Sequence, residues 1–194
     1  MTAAGIALAL RLIALGLWAF WIVTYWDSGR RMIHDLRAAT SRPDALLMNA
    51  IGAGTAVLLG GGLLVTLGLL AATDAPLLMV AGALLTLAGV VGTFACRRWL
   101  GRFWTAEAAL QPDHRVVDQG PYARVRHPIY SAAIGLYLGT ALVFAAWWSL
   151  LAFLGVGISY ALKARLEDAY LRANLPGYAA YMARVRWRLV PGVW

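Results

Sequence analysis

The chain has 194 residues, of which 61% are hydrophobic and 13% charged, and a net charge of +8. That balance excludes an ordinary soluble domain, and it makes the excess of cations a question of membrane orientation before one of nucleic acid. A single cysteine, Cys96, excludes an internal disulfide.

Residues 2–26 are apolar apart from Arg11. They lack the basic start and small-residue cleavage site of a signal peptide and end in aromatic residues, so they are expected to form a retained span. Residues 45–70 and 76–96 are the second and third runs. At a rise of 1.5 Å per residue each covers about 30 Å or more, enough for the hydrocarbon core. Residues 129–162 form a fourth run, which as one helix would be a rod of about 50 Å, too long for one crossing. Tryptophan favours the headgroup level, so Ala146-Trp147-Trp148-Ser149 predicts an interfacial turn between two short helices. The expected fold is an all-α integral membrane protein of about five transmembrane helices, the last two a hairpin, forming one domain over residues 1–194.

The cations follow this division. Arg30, Arg31, Arg37 and Arg42 come after the first span, and Arg97, Arg98, Arg102, Arg115, Arg124 and Arg126 after the third. Lys163, Arg165, Arg172, Arg184, Arg186 and Arg188 lie in the tail, whereas residues 71–75 and 146–149 carry no cation. Five spans place all three basic segments on one side. The excess of cations in cytoplasmic loops then predicts an outside N-terminus and a cytoplasmic C-terminus, in a bacterial inner membrane. Arg11 is left inside the first span, where a lipid headgroup, a substrate carboxylate or Glu107 would be its partner. The glycines of spans two and three, among them Gly54, Gly62, Gly82 and Gly89, and the Gly135–Gly139 step are expected to serve close helix packing. These spans lack the central carboxylate or polar chain that an ion-coupled transporter needs.

Polar chemistry is concentrated in residues 97–130 and 163–194. In "GPYARVRHPIY", Gly120 to Tyr130, Pro128 suits the first position of a helix. Arg126 and His127 would then stand at a helix N-terminus, where free N–H groups attract anions. Tyr122 and Tyr130 add π faces for a base or a cation. A basic-aromatic belt anchoring the helix is the simpler reading of the same residues. Lys163, Glu167 and Tyr170 share one helix face, and Glu167 would either accept an ammonium group or pair with Lys163; Asp168 beside it is expected to be solvated.

The C-terminal half resembles the isoprenylcysteine carboxyl methyltransferase and phospholipid N-methyltransferase superfamily of membrane enzymes. The resemblance rests on Leu100-Gly101-x-x-Trp104, His114-Arg-Val-Val117, Gly120-Pro-Tyr122, Arg126-His-Pro-Ile-Tyr130, Glu167, Tyr178-x-x-Tyr181 and Leu189-Val-Pro191. It implies S-adenosyl-L-methionine as cofactor, with contacts from His114, Arg115, Val116, Val117, Tyr122, His127, Pro128, Ile129, Tyr130 and Glu167. It makes residues 97–194 the cofactor-binding portion, below three N-terminal spans in residues 1–96. Lys163, Arg126 and Glu167 are the expected catalytic side chains, and no metal is expected. Members of the superfamily that carry an arginine four residues before this glutamate use it on the substrate. Here Lys163 takes that place and loses the planar fork. The usual paired glutamates and the Phe-Gly before the first tyrosine are also altered, which leaves the acceptor open among a lipophilic carboxylate, thiol or amine. Alignment of acceptor and methyl alone supplies about 7–11 kcal/mol to such a transfer, so few catalytic groups are required. The implied partners are the bilayer and a lipophilic substrate, not nucleic acid. An NADPH-dependent membrane sterol or enone reductase and a non-catalytic membrane scaffold are the alternatives.

Overall fold

The computed structural model describes residues 2–30, 42–105 and 110–194, the side chains of 26–30 and 42 excepted. The basic side chains of Arg30, Arg31, Arg37 and Arg42, and Glu107, lie outside that part. The described residues form six helices and no strand: α1 (Ala3–Arg30), α2 (Arg42–Thr66), α3 (Pro76–Leu100), α4 (Pro128–Phe144), α5 (Trp147–Asn174) and α6 (Tyr178–Arg184). Short 3₁₀ turns at Gly101–Phe103 and Gly120–Ala123 punctuate the long connection between α3 and α4.

Proline sets two of the starts. Pro76 and Pro128 each occupy the first turn of their helix, where the missing N–H costs nothing. The turn expected at the paired tryptophans lies at Ala145 and Ala146. Ala145 adopts the left-handed conformation (φ 48°) and caps α4, and the Ser149 hydroxyl reaches the Ala141 and Ala146 carbonyls. Helices α1, α2, α3 and α5 are each long and apolar enough to cross a membrane. Helix α4 has 17 residues and spans about 25 Å. Helix α5 is not short: it runs without a break for 28 residues, about 42 Å, into the tail. Because α4 and α5 form a hairpin, Trp147 to Lys163 suffice to match α4, and the last eleven residues of α5 project past Pro128. That overhang carries Glu167 and Asp168.

Small residues set the helix separations. A Cβ on Gly82 would come within 2.6 Å of the Gly139 carbonyl oxygen, and one on Gly89 within 2.5 Å of the Leu136 backbone nitrogen, so α3 and α4 touch backbone to backbone. Gly62 makes room for Phe144, and Gly54 for Val156. Trp18, Leu58, Leu136, Tyr137, Phe144 and Val156 form the buried centre. Two tryptophan N–H groups of this centre find threonine partners: Trp18 Nε1 donates to Thr140 Oγ1 at 2.8 Å and Trp21 Nε1 to Thr93 Oγ1 at 2.9 Å. Leu12, Phe20, Val57, Leu87, Leu151 and Ile158 face outward, as expected of a bundle solvated by lipid.

The two cation-free connections meet at one end of the bundle, where the Thr73 N–H donates to the Ala145 carbonyl at 3.3 Å. Asp74 at that end takes Arg11, Nη2 to Oδ1 at 2.8 Å. This corrects the three partners expected for Arg11: the cation belongs to a loop carboxylate that composition alone did not connect with it. The basic segments around α4's start and the tail gather at the opposite end.

Candidate cofactor site

The site is assembled around the overhang of α5. Asp168, expected in solvent, is only 2% exposed and is the organising group. Its carboxylate accepts from Arg126 Nε and Nη2 at 3.1 and 2.8 Å, His127 Nε2 at 2.9 Å, the Tyr178 hydroxyl at 2.8 Å and Arg188 Nε at 2.6 Å. Arg126 spends its remaining terminal nitrogen on the carbonyls of Val185 and Arg186, both at 2.7 Å. A buried carboxylate is tolerable only with such full compensation.

The start of α4 is closed by the tail as well. The backbone N–H groups of Arg126 and His127 donate to the Trp187 and Arg188 carbonyls, each at 2.9 Å, and Ser131 Oγ donates to the Leu189 carbonyl at 2.6 Å. The expectation of free N–H groups awaiting an external anion is therefore corrected at these two residues. The anion that the crowded cations hold is the protein's own Asp168. The cation-rich motif has a structural task, fastening the C-terminal segment over the end of α4.

Glu167, one residue earlier, points the other way. Its Oε2 accepts the Tyr130 hydroxyl at 2.5 Å and lies 3.5 Å from His127 Nδ1, and the side chain keeps 21% of its surface exposed. It does not pair with Lys163, whose ammonium is buried against Asp44 of α2. His127 stacks on Tyr130 with their planes 2° apart, so one face of the site is a rigid aromatic wall. Burial opposes a charge on His127, but its hydrogen bonds to Asp168 and Glu167 outweigh it and raise the pKa above the ordinary histidine value. His114 is shifted the other way, downward, chiefly by burial, and stacks on Phe103 at 4.7 Å. Burial also raises the pKa of the Tyr122 and Tyr178 phenols, which keeps both as hydrogen-bond donors.

These side chains line a cavity that opens to solvent, with about 720 Å³ of empty space counting its mouth. Of the residues expected at a cofactor, His114, Arg115, Val116, Val117, Tyr122, His127, Ile129, Tyr130 and Glu167 line it; Pro128 is buried beside it as the helix start. Of the expected catalytic side chains, Arg126 lines the wall with its donors already engaged, and Lys163 faces a neighbouring cavity instead. Leu100, Phe103, Trp104, Thr105, Leu171, Leu175, Tyr178 and Tyr181 complete the lining and were not singled out for cofactor contact. Tyr178 and Tyr181 pack with Leu175 and Val185 in a separate apolar cluster, and the Tyr181 hydroxyl donates to the Tyr122 carbonyl at 2.8 Å. The paired-tyrosine spacing was the available signal. Gly120 is fixed by shape, for it has φ +58° and a Cβ there would lie 2.5 Å from the Trp99 ring. Among the described residues no group of His, Cys, Asp and Glu side chains could hold a metal.

A partly exposed carboxylate, stacked aromatic faces and buried phenol donors suit a ligand with a cationic head and a flat ring system. An apolar helical bundle with these polar groups gathered round a cavity at one end is the architecture of an integral membrane protein. The chain belongs to the phospholipid methyltransferase family, whose model matches residues 77–176, from the start of α3 past the end of α5. It is thereby a membrane methyltransferase. No curated protein matches the chain.

Proposed function

We propose that the chain transfers a methyl group from S-adenosylmethionine to a lipophilic acceptor, with the cavity around Glu167 as the cofactor site. The observation that carries this reading is Glu167 itself. It is a carboxylate left partly open to the cavity, while the neighbouring Asp168 is saturated by the protein. Bound there, the cofactor supplies a methyl already activated on a sulfonium, so the protein needs no strong base for an ionised acceptor.

The chain's own residues then have distinct tasks. Glu167 receives the ammonium of the amino-acid moiety, and Tyr130 and His127 hold that carboxylate in one rotamer. Phe103 and His114 offer a stacked face at the far wall. Val116, Leu171 and Leu175 keep water out. Arg126 positions rather than reacts, because its donors secure Asp168 and the tail. Likeness to carboxyl-methylating members of the superfamily extends the reading to an acidic acceptor. The basic end of the bundle is the cytoplasmic face by the orientation rule for cations, which puts the C-terminus inside.

Equilibrium dialysis of the detergent-solubilised protein tests this. Tritiated S-adenosylmethionine is expected to bind saturably, NADPH is expected not to compete, and Glu167→Gln is expected to weaken binding without unfolding the protein. Absence of saturable binding at millimolar cofactor, or displacement by NADPH, would overturn the assignment.

A further inference from the structure

A second cavity adjoins the first, inside the helix bundle. It has about 420 Å³ of space, mouth included, and shares Trp104, Thr105, Ile129 and Tyr130 with the cofactor cavity as a common wall. Its other walls come from α1, α2, α3, α4 and α5 and are mostly aromatic and apolar. Two cations stand in it. Lys163 is committed to Asp44 in a pair in which both side chains are buried.

Arg97 is not so committed. It is 8% exposed, and its Nη1 is buried without a hydrogen-bond partner. Its other contacts are long, Nε to the Thr93 carbonyl at 3.4 Å and Nη2 to Thr24 Oγ1 at 3.5 Å. The guanidinium lies among three rings, 5.9 Å from Trp21, 5.9 Å from Tyr25 and 5.5 Å from Trp104. Aromatic faces hold a cation in place but do not satisfy its N–H groups. Arg97 lines this cavity, and a guanidinium that keeps a donor unused can take an oxyanion through parallel hydrogen bonds once the side chain turns to present it. Among the described residues lining this cavity there is no carboxylate to accept hydrogen bonds from an ammonium.

On the reading of the first cavity given above, we propose that the second cavity holds the acceptor and that Arg97 anchors an oxyanion carried by it. Arg97 thus takes up the substrate-anchoring task that Lys163, locked to Asp44, cannot perform. The oxyanion is either a carboxylate on a single chain or the phosphate of a diacyl lipid.

Binding in phosphatidylcholine nanodiscs separates these. The probes are radiolabelled myristate, myristylamine and dimyristoyl phosphatidate, each titrated against wild type, Arg97→Lys, Arg97→Gln and Glu167→Gln, with tritiated S-adenosylmethionine measured in parallel. Wild type is expected to take up myristate or phosphatidate saturably and to reject myristylamine; the preferred anion names the source. Arg97→Gln should lose about 10- to 100-fold in that affinity, as for a charge-assisted hydrogen bond removed from a buried site, and Arg97→Lys should recover part of it. Cofactor binding should survive the Arg97 changes, whereas Glu167→Gln should lose cofactor and keep the anion. Equal uptake of amine and anions by wild type overturns the proposal even if the variants fail to fold. So does undiminished anion binding by Arg97→Gln. Loss of cofactor binding in wild type overturns the cofactor reading instead.

Discussion

Replacing Asp168 by asparagine removes one charge from the centre of a five-bond cluster. Arg126, Arg188 and His127 would be left facing a neutral amide, half of which is itself a donor, and Tyr178 would lose its acceptor. Breaking a buried ion pair on one side costs about 3–5 kcal/mol. At about 2–4 °C per kcal/mol for a chain of this size, the melting temperature should fall by about 6–20 °C. Cys96, the only cysteine, is buried at 5% exposure, so a thiol-reactive dye followed during heating in detergent reports the loss of structure. The control is Asp118→Asn, which breaks the exposed pair with Arg184 and should cost no more than about 1 kcal/mol. Asp168→Asn should also weaken cofactor binding, because the tail and Tyr178 close the cavity. If the two variants melt together, Asp168 is not the fastening point and the account of the tail is wrong.

Glu167→Gln should cut S-adenosylmethionine affinity about tenfold or more, the effect of one lost charged contact, while its melting curve stays near wild type. Asp44→Asn, which strands the buried Lys163 charge, should destabilise by about 3–5 kcal/mol, and the joint change to Asp44→Leu with Lys163→Met should recover much of that in the same thermal assay. Gly139→Ala should disrupt the α3–α4 contact because its Cβ would lie 2.5 Å from the Gly82 carbonyl oxygen, whereas Gly60→Ala meets nothing within 4 Å and should melt like wild type. His127 has a raised pKa in the fold, so its stabilisation is complete below the unfolded value of about 6.5 and is lost as pH rises through the higher folded value. The melting temperature of wild type relative to His127→Gln should therefore shrink as pH increases above that point, and a difference that grows with pH would contradict the raised pKa.

The spans were legible because lipid selects runs of apolar residues, and their ends were legible where Pro76, Pro128 and the paired tryptophans interrupt those runs. Most of the cavity was legible too, because His114 to Val117 and the Arg126–Tyr130 string lie in compact motifs. The buried ion pairs were not. Lys163 finds Asp44 at a separation of 119 residues and Arg11 finds Asp74 at 63, and neither residue has a local pattern that names its partner. Asp168 was misplaced for the same reason. Its helix neighbours suggest a solvated position, but its partners arrive from α4's start and from the tail. Arg97 looked like one more cation at a span's end; only the packed rings around it expose the unused donor.

The central claim is that one cavity, walled by residues 114–130 and by the overhang of α5, holds the methyl donor. Irradiating the protein with tritiated S-adenosylmethionine and mapping the labelled peptides tests it most directly. Label is expected in peptides carrying Val116, Tyr130 or Tyr178, suppressed by excess unlabelled cofactor and by Glu167→Gln. Label confined to α1 or α2, or label that excess cofactor does not suppress, would contradict it.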